Sequence, residues 1–274
     1  MTRPNHDDHA DAQFGSRAAA YVSSAVHAHG ADLMRIASAC AERKPARLID
    51  IGTGGGHVAY AAAPHCGEVI ATDLSPRMLE AVAEESARRA LSNVITCVSA
   101  AEALPFADGY ADAVASRFSA HHWNSLARGL AQARRVCSAG GLALFSDIVA
   151  PASALCDTHL QTVELLRDPS HVRDYSMAEW TTALGQAGFA VAAIMPGRLR
   201  MDFAQWTARM DTPAPLAAAI RQLQQGAPRE VQEHFAIEPD GSFTINPMIA
   251  TIKHTSKQNF LPGCKTKVHA IILR

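Results

Sequence analysis

The chain has 274 residues, 25 Lys and Arg against 26 Asp and Glu, and a hydrophobic share of 48%. That length can bury a sizeable core, and the composition excludes wholesale disorder, collagen and a disulfide-scaffold miniprotein. A net charge of −1 leaves no electrostatic footprint for nucleic acid, and no apolar run approaches the roughly 20 residues of a membrane helix. The opening MTRPNHDDHADAQF lacks the apolar stretch of a secretory signal, so a cytoplasmic location is expected. The six cysteines (Cys40, Cys66, Cys97, Cys137, Cys156, Cys264) contain no C-x-x-C pair. They read as reduced core residues rather than disulfides or a zinc set.

Residues 13–43 read as helix. Phe14, Ala18, Tyr21, Val22, Ala25 and Val26 recur at spacings of three and four, and Leu33, Met34, Ile36 and Ala37 make a second stripe after Gly30. Pro45 closes the region. Ahead of it, His6, Asp7, Asp8 and His9 have metal-ligand chemistry but read as a flexible terminus, and no metal is expected.

From residue 47 the period changes to that of strands. RLIDIG (47–52), EVIATD (68–73), NVITCVS (93–99), DAVASR (112–117) and GLALFSD (141–147) are short apolar or β-branched runs. Helical stretches at 57–63, 76–90, 125–137 and 177–187 separate or follow them. The third helix start is punctuated by Ser75 as N-cap and Pro76 at the first turn, followed by Leu79, Val82, Ala83, Ala87 and Ala90. Alternation of this kind predicts an α/β fold, a doubly wound, mainly parallel sheet of seven strands. The sixth strand is FAVAAIM (189–195) and the seventh SFTINPMIATI (242–252).

The expected organisation is an N-terminal helical lid over 1–45, a ligand-binding α/β core over 46–195 and a helical insertion or cap over 196–241. The last strand (242–252) and a basic tail (253–274) follow. The insertion carries Trp206, Met210, Leu216, Ile220 and Leu223, and segments of that length usually cover a site. The tail has five basic side chains and no acid. Pro262-Gly263 marks it as peripheral, although VHAIIL (268–273) could add an edge strand within the chain or in a homodimer.

The most informative segment is Asp50-Ile51-Gly52-Thr53-Gly54-Gly55-Gly56, placed after a strand and before a helix. Glycines let the backbone approach a ligand, and the helix start presents unpaired N–H groups. A dinucleotide fingerprint G-x-G-x-x-G starting at Gly52 would need glycine at position 57, where His57 stands. Asp73 ends the next strand 17 residues after Gly56, close to the roughly 20-residue separation that puts an acid on ribose hydroxyls in doubly wound folds. Its two oxygens can accept both hydroxyl hydrogens. The turn formers Pro105, Asp108 and Gly109 shape SAAEALPFADGYADAV (99–114) after the third strand.

The pattern D-x-G-x-G-x-G resembles the nucleotide loop of class I S-adenosylmethionine-dependent methyltransferases. SRFSAHHW (116–123), RVCSAGG (135–141) and LLRDPSHVRDYSMAEW (165–180) are similar to the ubiquinone/menaquinone-type, small-molecule branch. The resemblance covers about residues 10–250 and leaves out the tail. It implies S-adenosylmethionine as cofactor and transfer of its methyl to a small-molecule oxygen, nitrogen or carbon nucleophile, leaving S-adenosylhomocysteine. The implied cofactor shell is Asp50, Gly52, Thr53, Gly54 and Gly56 on the first loop, with Asp73 and Leu74 on the second. Ala101 and Glu102 of the third loop would meet adenine, and Arg117 would close the shell. A nicotinamide-dependent oxidoreductase on a related fold and a non-catalytic S-adenosylmethionine-binding protein are the alternatives.

His121 and His122 follow the fourth strand, where the family places groups facing the transferred methyl, and a neutral imidazole can take a proton from an acceptor. Their other reading is a helix cap or packing against Trp123. Arg167, Asp168, His171, Arg173, Asp174 and Tyr175 form a polar cluster that either binds an acidic substrate group by forked arginine bonds or closes the lid as an Arg/Asp network. Tyr21 and His27 could line the site or simply pack. Met195, Met201 and Met210 read as core or pocket lining.

Overall fold

The structure, a computed structural model, describes residues 5–15 and 30–253. Two N-terminal helices, α1 (His6–Gly15) and α2 (Ala31–Arg43), precede β1 (Arg47–Ile51) and α3 (His57–Ala62). Then come β2 (Glu68–Asp73), α4 (Pro76–Arg88), β3 (Val94–Val98), β4 (Ala111–Arg117), α5 (Leu126–Val136) and the long β5 (Cys137–Ala150). These five strands are parallel in the order β3-β2-β1-β4-β5. After α6 (Ala154–Arg167) a two-residue β6 (Tyr175–Ser176) touches the end of β5, followed by α7 (Met177–Gln186) and β7 (Ala190–Pro196). A small unit follows, built of β8 (Leu199–Met201), α8 (Phe203–Arg209), α9 (Ala214–Gln225), α10 (Arg229–Phe235) and β9 (Phe243–Ile245). Finally β10 (Pro247–Lys253) inserts antiparallel between β5 and β7.

The central strands are covered on both faces, which is why they read as continuous apolar runs, while the edge strands β3 and β7 stay largely exposed. Alternate residues go to opposite sides. Ile49, Ile51, Ile70, Val114 and Phe145 pack with Leu130, Trp180 and Leu184 of α5 and α7. Leu48, Val69, Ala71, Ala113 and Leu144 pack with Ile36, Cys40, Val58 and Val82 of α2, α3 and α4. A third cluster lies beyond the end of β5, where Ile148, Cys156, Leu160 and Val163 meet Trp206, Ile220, Val231, Phe235 and Phe243. It seals the insertion over the carboxyl ends of the strands.

The differences from the sequence reading have physical causes. The final run 242–252 is two strands, because Asn246-Pro247 breaks it: β9 pairs with β8, and β10 joins the main sheet. The helix α6 has no counterpart among the expected elements. Its apolar positions Cys156, Leu160 and Val163 face the third cluster, diluted by Asp157, His159, Gln161 and Glu164. In α2 the buried stripe is Leu33, Ile36, Ala39 and Cys40, while Met34 is 65% exposed. His6-Asp7-Asp8-His9, expected as a flexible terminus, begins α1, and the His6 Nε2–H donates to the His122 carbonyl oxygen (3.0 Å). Between them, 16–29 with Tyr21 and His27, and the tail 254–274 with Cys264, lie outside the described residues. The five described cysteines are free thiols. Among the described residues no helix is long and apolar enough to cross a membrane.

One ion pair ties α2 to the sheet. Arg117, at the end of β4, donates from Nε to Asp32 Oδ2 (2.5 Å) and from Nη2 to Asp32 Oδ1 (3.2 Å), and the Ser146 hydroxyl adds a third bond to the same carboxylate. The Arg117 side chain is 4% exposed and that of Asp32 15%. Removing one partner of a buried pair costs far more than breaking a surface contact. Asp32→Ala is therefore expected to lower the free energy of urea unfolding by about 3 kcal/mol. A loss within about 0.5 kcal/mol would mean that the pair does not anchor the helix.

Candidate active site

The ends of β1, β2 and β4 and the loops after them line one cavity, with an empty volume of about 1490 Å³ counted to its open mouth.

The glycine loop forms its floor. Thr53 N–H donates to the Thr72 carbonyl (2.8 Å) and Gly56 N–H to the Thr53 carbonyl (3.0 Å), so the loop is stitched to β2 and to itself. Gly52 and Gly56 take φ of +66° and +82°. A Cβ on Gly52 would overlap the Ser119 hydroxyl, and one on Gly56 would strike the Tyr60 ring, so both positions demand glycine for conformation and for space. Gly54, at φ +51°, faces open space on the cavity wall.

Two carboxylates stand beside the loop. Asp73 Oδ2 accepts from Gly54 N–H (2.9 Å) and Oδ1 from Ser75 N–H (3.0 Å), while burial pushes its pKa up. Each oxygen keeps a lone pair for a further donor. Asp50 is 1% exposed; its Oδ2 accepts from the Thr53 hydroxyl (2.6 Å), and its buried Oδ1 has no hydrogen-bond partner in the protein. Burial pushes Asp50 up to about 7, against the opposing pull of the Thr53 hydroxyl. The cradle thus offers paired acceptors at Asp73, an orphaned carboxylate oxygen at Asp50 and a bare backbone at Gly54. Those are the features a positively charged amino-acid nucleoside requires.

At the other end of the cavity stand the histidines. His121 Nδ1–H donates to Asp147 Oδ1 (2.5 Å) and His121 backbone N–H to Asp147 Oδ2 (3.2 Å). Burial pulls the His121 imidazole down, but the charge and hydrogen bond of Asp147 more than offset it and raise it to about 9. His122 Nδ1–H donates to the Ser170 carbonyl (3.1 Å), and the ring lies edge-on to Phe14 of α1 at 4.9 Å. Burial, then the charge of His121, lowers it to about 4. The two imidazoles are 4.2 Å apart between centroids.

The methyltransferase domain family matches residues 49–145, the segment from within β1 to within β5. The uncharacterized methyltransferase YcgJ of Bacillus subtilis is 30% identical over 252 residues, covering 92% of this chain and 97% of that protein. Its crystal structure superposes with a TM-score of 0.79 at 28% identity, over 83% of this chain and all of that one. The chain belongs to the class I S-adenosylmethionine-dependent methyltransferases. The uncharacterized protein YafE of Escherichia coli is 42% identical over 189 residues, 69% of this chain and 91% of that protein. The demethylmenaquinone methyltransferase of Chlorobaculum tepidum is 32% identical over 115 residues, 42% of this chain and 45% of that protein.

In this methyltransferase the structure brings together most of the residues singled out from the sequence. Asp50, Gly52, Thr53, Gly54, Asp73, Leu74, Ala101, Glu102, Arg117, His121, His122 and Arg167 all line the cavity. Gly56 supports the loop from behind. Two of them have their polar groups committed elsewhere. Glu102 Oε1 accepts from Ser125 N–H (3.0 Å) at the start of α5, and the Arg117 guanidinium holds Asp32. Of the substrate-side cluster Arg167, Asp168 and Asp174 reach the cavity, and Arg167 donates there to the Trp206 carbonyl (3.0 Å) and to Glu164 (3.2 Å).

His171, Arg173 and Tyr175 do not line it. His171 bonds Gln161 Oε1 (2.9 Å), Arg173 spans Asp157 and Glu179 near the surface, and Tyr175 sits against Trp180. Of these three, Arg173 links α6 to α7 through Asp157 and Glu179. Asp147, Glu164, Phe14 and Trp206 were not foreseen. Asp147 had a visible signal: GLALFSD ends in an acid at the same strand end as EVIATD.

The Asp50 carboxyl makes stability depend on pH. Its folded pKa, about 7, lies above the unfolded value of about 3.9, so folding is favoured below pH 4 and increasingly penalised as pH rises to 7. Between pH 5 and pH 8 the unfolding free energy of Asp50→Asn should therefore gain on wild type by about 2 kcal/mol. Parallel pH curves for the two proteins would show that Asp50 ionises normally.

Proposed function

We propose that the chain transfers the methyl group of S-adenosylmethionine to a small-molecule acceptor and releases S-adenosylhomocysteine. The observation that carries this reading is Asp73. Its carboxylate is aimed by two backbone N–H groups, beside the glycine loop, into a cavity whose far end holds His121 and His122. When bound, the cofactor supplies a sulfonium-activated methyl.

The chain's own residues do the rest. Asp73 accepts the two ribose hydroxyls, and Leu74 and Ala101 flank the nucleoside. The orphaned Oδ1 of Asp50 faces the charged amino-acid end. Gly54 gives that end room that a side chain would take away. Phe14, Phe118, Ile148, Met201, Trp206 and Ile245 wall the acceptor end, so the acceptor is largely apolar and water is kept from the reacting carbon. His122, held neutral, can take the acceptor's proton, while His121, held protonated by Asp147, orients the acceptor. The name of the Chlorobaculum relative, a demethylmenaquinone methyltransferase, is in keeping with a small-molecule acceptor. Phe14 and Asp11 on α1 support the lid reading of the N-terminal segment, and the site of action is the cytoplasm.

Asp73→Ala is expected to weaken S-adenosylmethionine and S-adenosylhomocysteine binding by about 1.5–3 kcal/mol, the worth of hydrogen bonds to a charged group. Calorimetry on the folded variant reads this directly, and unchanged affinity removes the ribose assignment. Binding of NADH in place of either ligand would favour the oxidoreductase reading.

Turnover with candidate acceptors separates an enzyme from a mere binder. If a histidine takes the proton, its replacement by alanine should cost on the order of 10²–10⁴ in rate, with little change in S-adenosylhomocysteine affinity. Near wild-type rates for both His121→Ala and His122→Ala would leave positioning as the whole of catalysis.

A further inference from the structure

We propose that His121, Asp147 and Asp174 form a binding site for one divalent transition-metal cation of the Mn²⁺ type. Each offers one donor atom, and the three donors lie within 4.8 Å of one another. They come from separate segments: the turn after β4, the end of β5 and the loop before β6. Coordination bonds of about 2.0–2.3 Å place ligand atoms up to about 4.5 Å apart, so side-chain shifts of a few tenths of an ångström close the shell.

Asp174 gives the independent sign that something is bound there. It is 1% exposed, it lines the cavity, and its Oδ2 is buried without a hydrogen-bond partner in the protein. An unsatisfied buried carboxylate oxygen is costly and is seldom kept without a ligand. The position is enforced as well. Gln161 clamps the Asp174 backbone on both sides, accepting from its N–H (3.0 Å) and donating to its carbonyl (2.8 Å).

Charge points to a dication. The other acids at this end are engaged, Glu164 by Arg167 and Asp168 by the Ser170 hydroxyl (2.6 Å). Burial raises the Asp174 pKa well above its usual range, and a cation shared with Asp147 would take the place of the proton that burial otherwise keeps there. Two carboxylate oxygens with one imidazole nitrogen, and no thiolate, make a hard-to-borderline donor set that suits Mn²⁺ better than a soft ion. His121 and Asp174 both line the cavity, so open coordination positions face the acceptor, where the cation can hold an oxygen of it. That use rests on the methyl-transfer reading; the site itself does not.

The test is titration of Mn²⁺ into chelator-stripped full-length protein, following free Mn²⁺ by electron paramagnetic resonance and heat by calorimetry. One Mn²⁺ per chain is expected, with a dissociation constant below about 0.1 mM. Asp174→Asn, which keeps the shape of the side chain, should weaken it about 10- to 100-fold, and His121→Gln should do the same. Glu42→Gln, on the exposed end of α2, should not.

Absence of saturable Mn²⁺ binding overturns the proposal, and so does equal binding by wild type and by whichever of the two site variants folds. S-adenosylhomocysteine affinity measured on the same preparations keeps the readings apart. If it persists while Mn²⁺ binding fails, only the cation site falls.

Discussion

A parallel sheet covered on both faces has one place to put charge, and that is the rim where its strands end. Here β1, β2 and β5 each bring an aspartate to that rim, Asp50, Asp73 and Asp147; Asp50 and Asp147 are buried and Asp73 is half-buried. Buried carboxylates need partners. Asp73 is given two backbone N–H groups, Asp147 is given His121 and the N–H of Ile148, and Asp50 is given the Thr53 hydroxyl and is otherwise left wanting. The glycine loop and the histidine turn are arranged around satisfying these three groups. What remains unsatisfied is what a ligand can supply.

The walls of the site depend on distant parts of the chain. Arg117 and Asp32 couple the end of β4 to α2, and the His6 imidazole and the Phe14 ring couple α1 to the backbone and ring of His122. The insertion brings Trp206, Met201 and Ile245 over the cavity because its own core continues that of α6 and the end of β5. The acceptor end is therefore assembled from α1, the histidine turn, α6 and the insertion. The cofactor end draws mainly on 50–75, with Ala101 added from the turn after β3.

This division explains what the sequence could and could not tell. The alternating strands and helices, Asp50 to Gly56 and Asp73 are local patterns, dictated by backbone geometry and short spacing, and they could be read directly. The cap at Ser75 was equally local, and its hydroxyl accepts from Met78 N–H. The helix α6 was obscured because its inner face meets a distant cluster while polar residues crowd the rest. The roles of Glu102, Arg117 and Arg173 are set by partners 23, 85 and 16 residues away, and no spacing rule announces those. Asp147 was visible as a strand-end acid, but its pairing with His121 depends on β4 and β5 lying side by side.

The antiparallel β10 has a consequence for how the chain is made. It occupies an interior position of the sheet, bonded to β5 on one side and β7 on the other, yet it is the last described element in sequence. Until residue 253 has left the ribosome, the inner edge of β5 has no neighbour, and β7, held only through β10, has no place in the sheet. An uncovered strand edge is a template for pairing with another chain. The insertion, α8 to α10, is synthesised during that interval and packs beyond the end of β5. It packs on α6 and the end of β5 rather than along the open edge, so the slot itself stays uncovered until the final strand arrives.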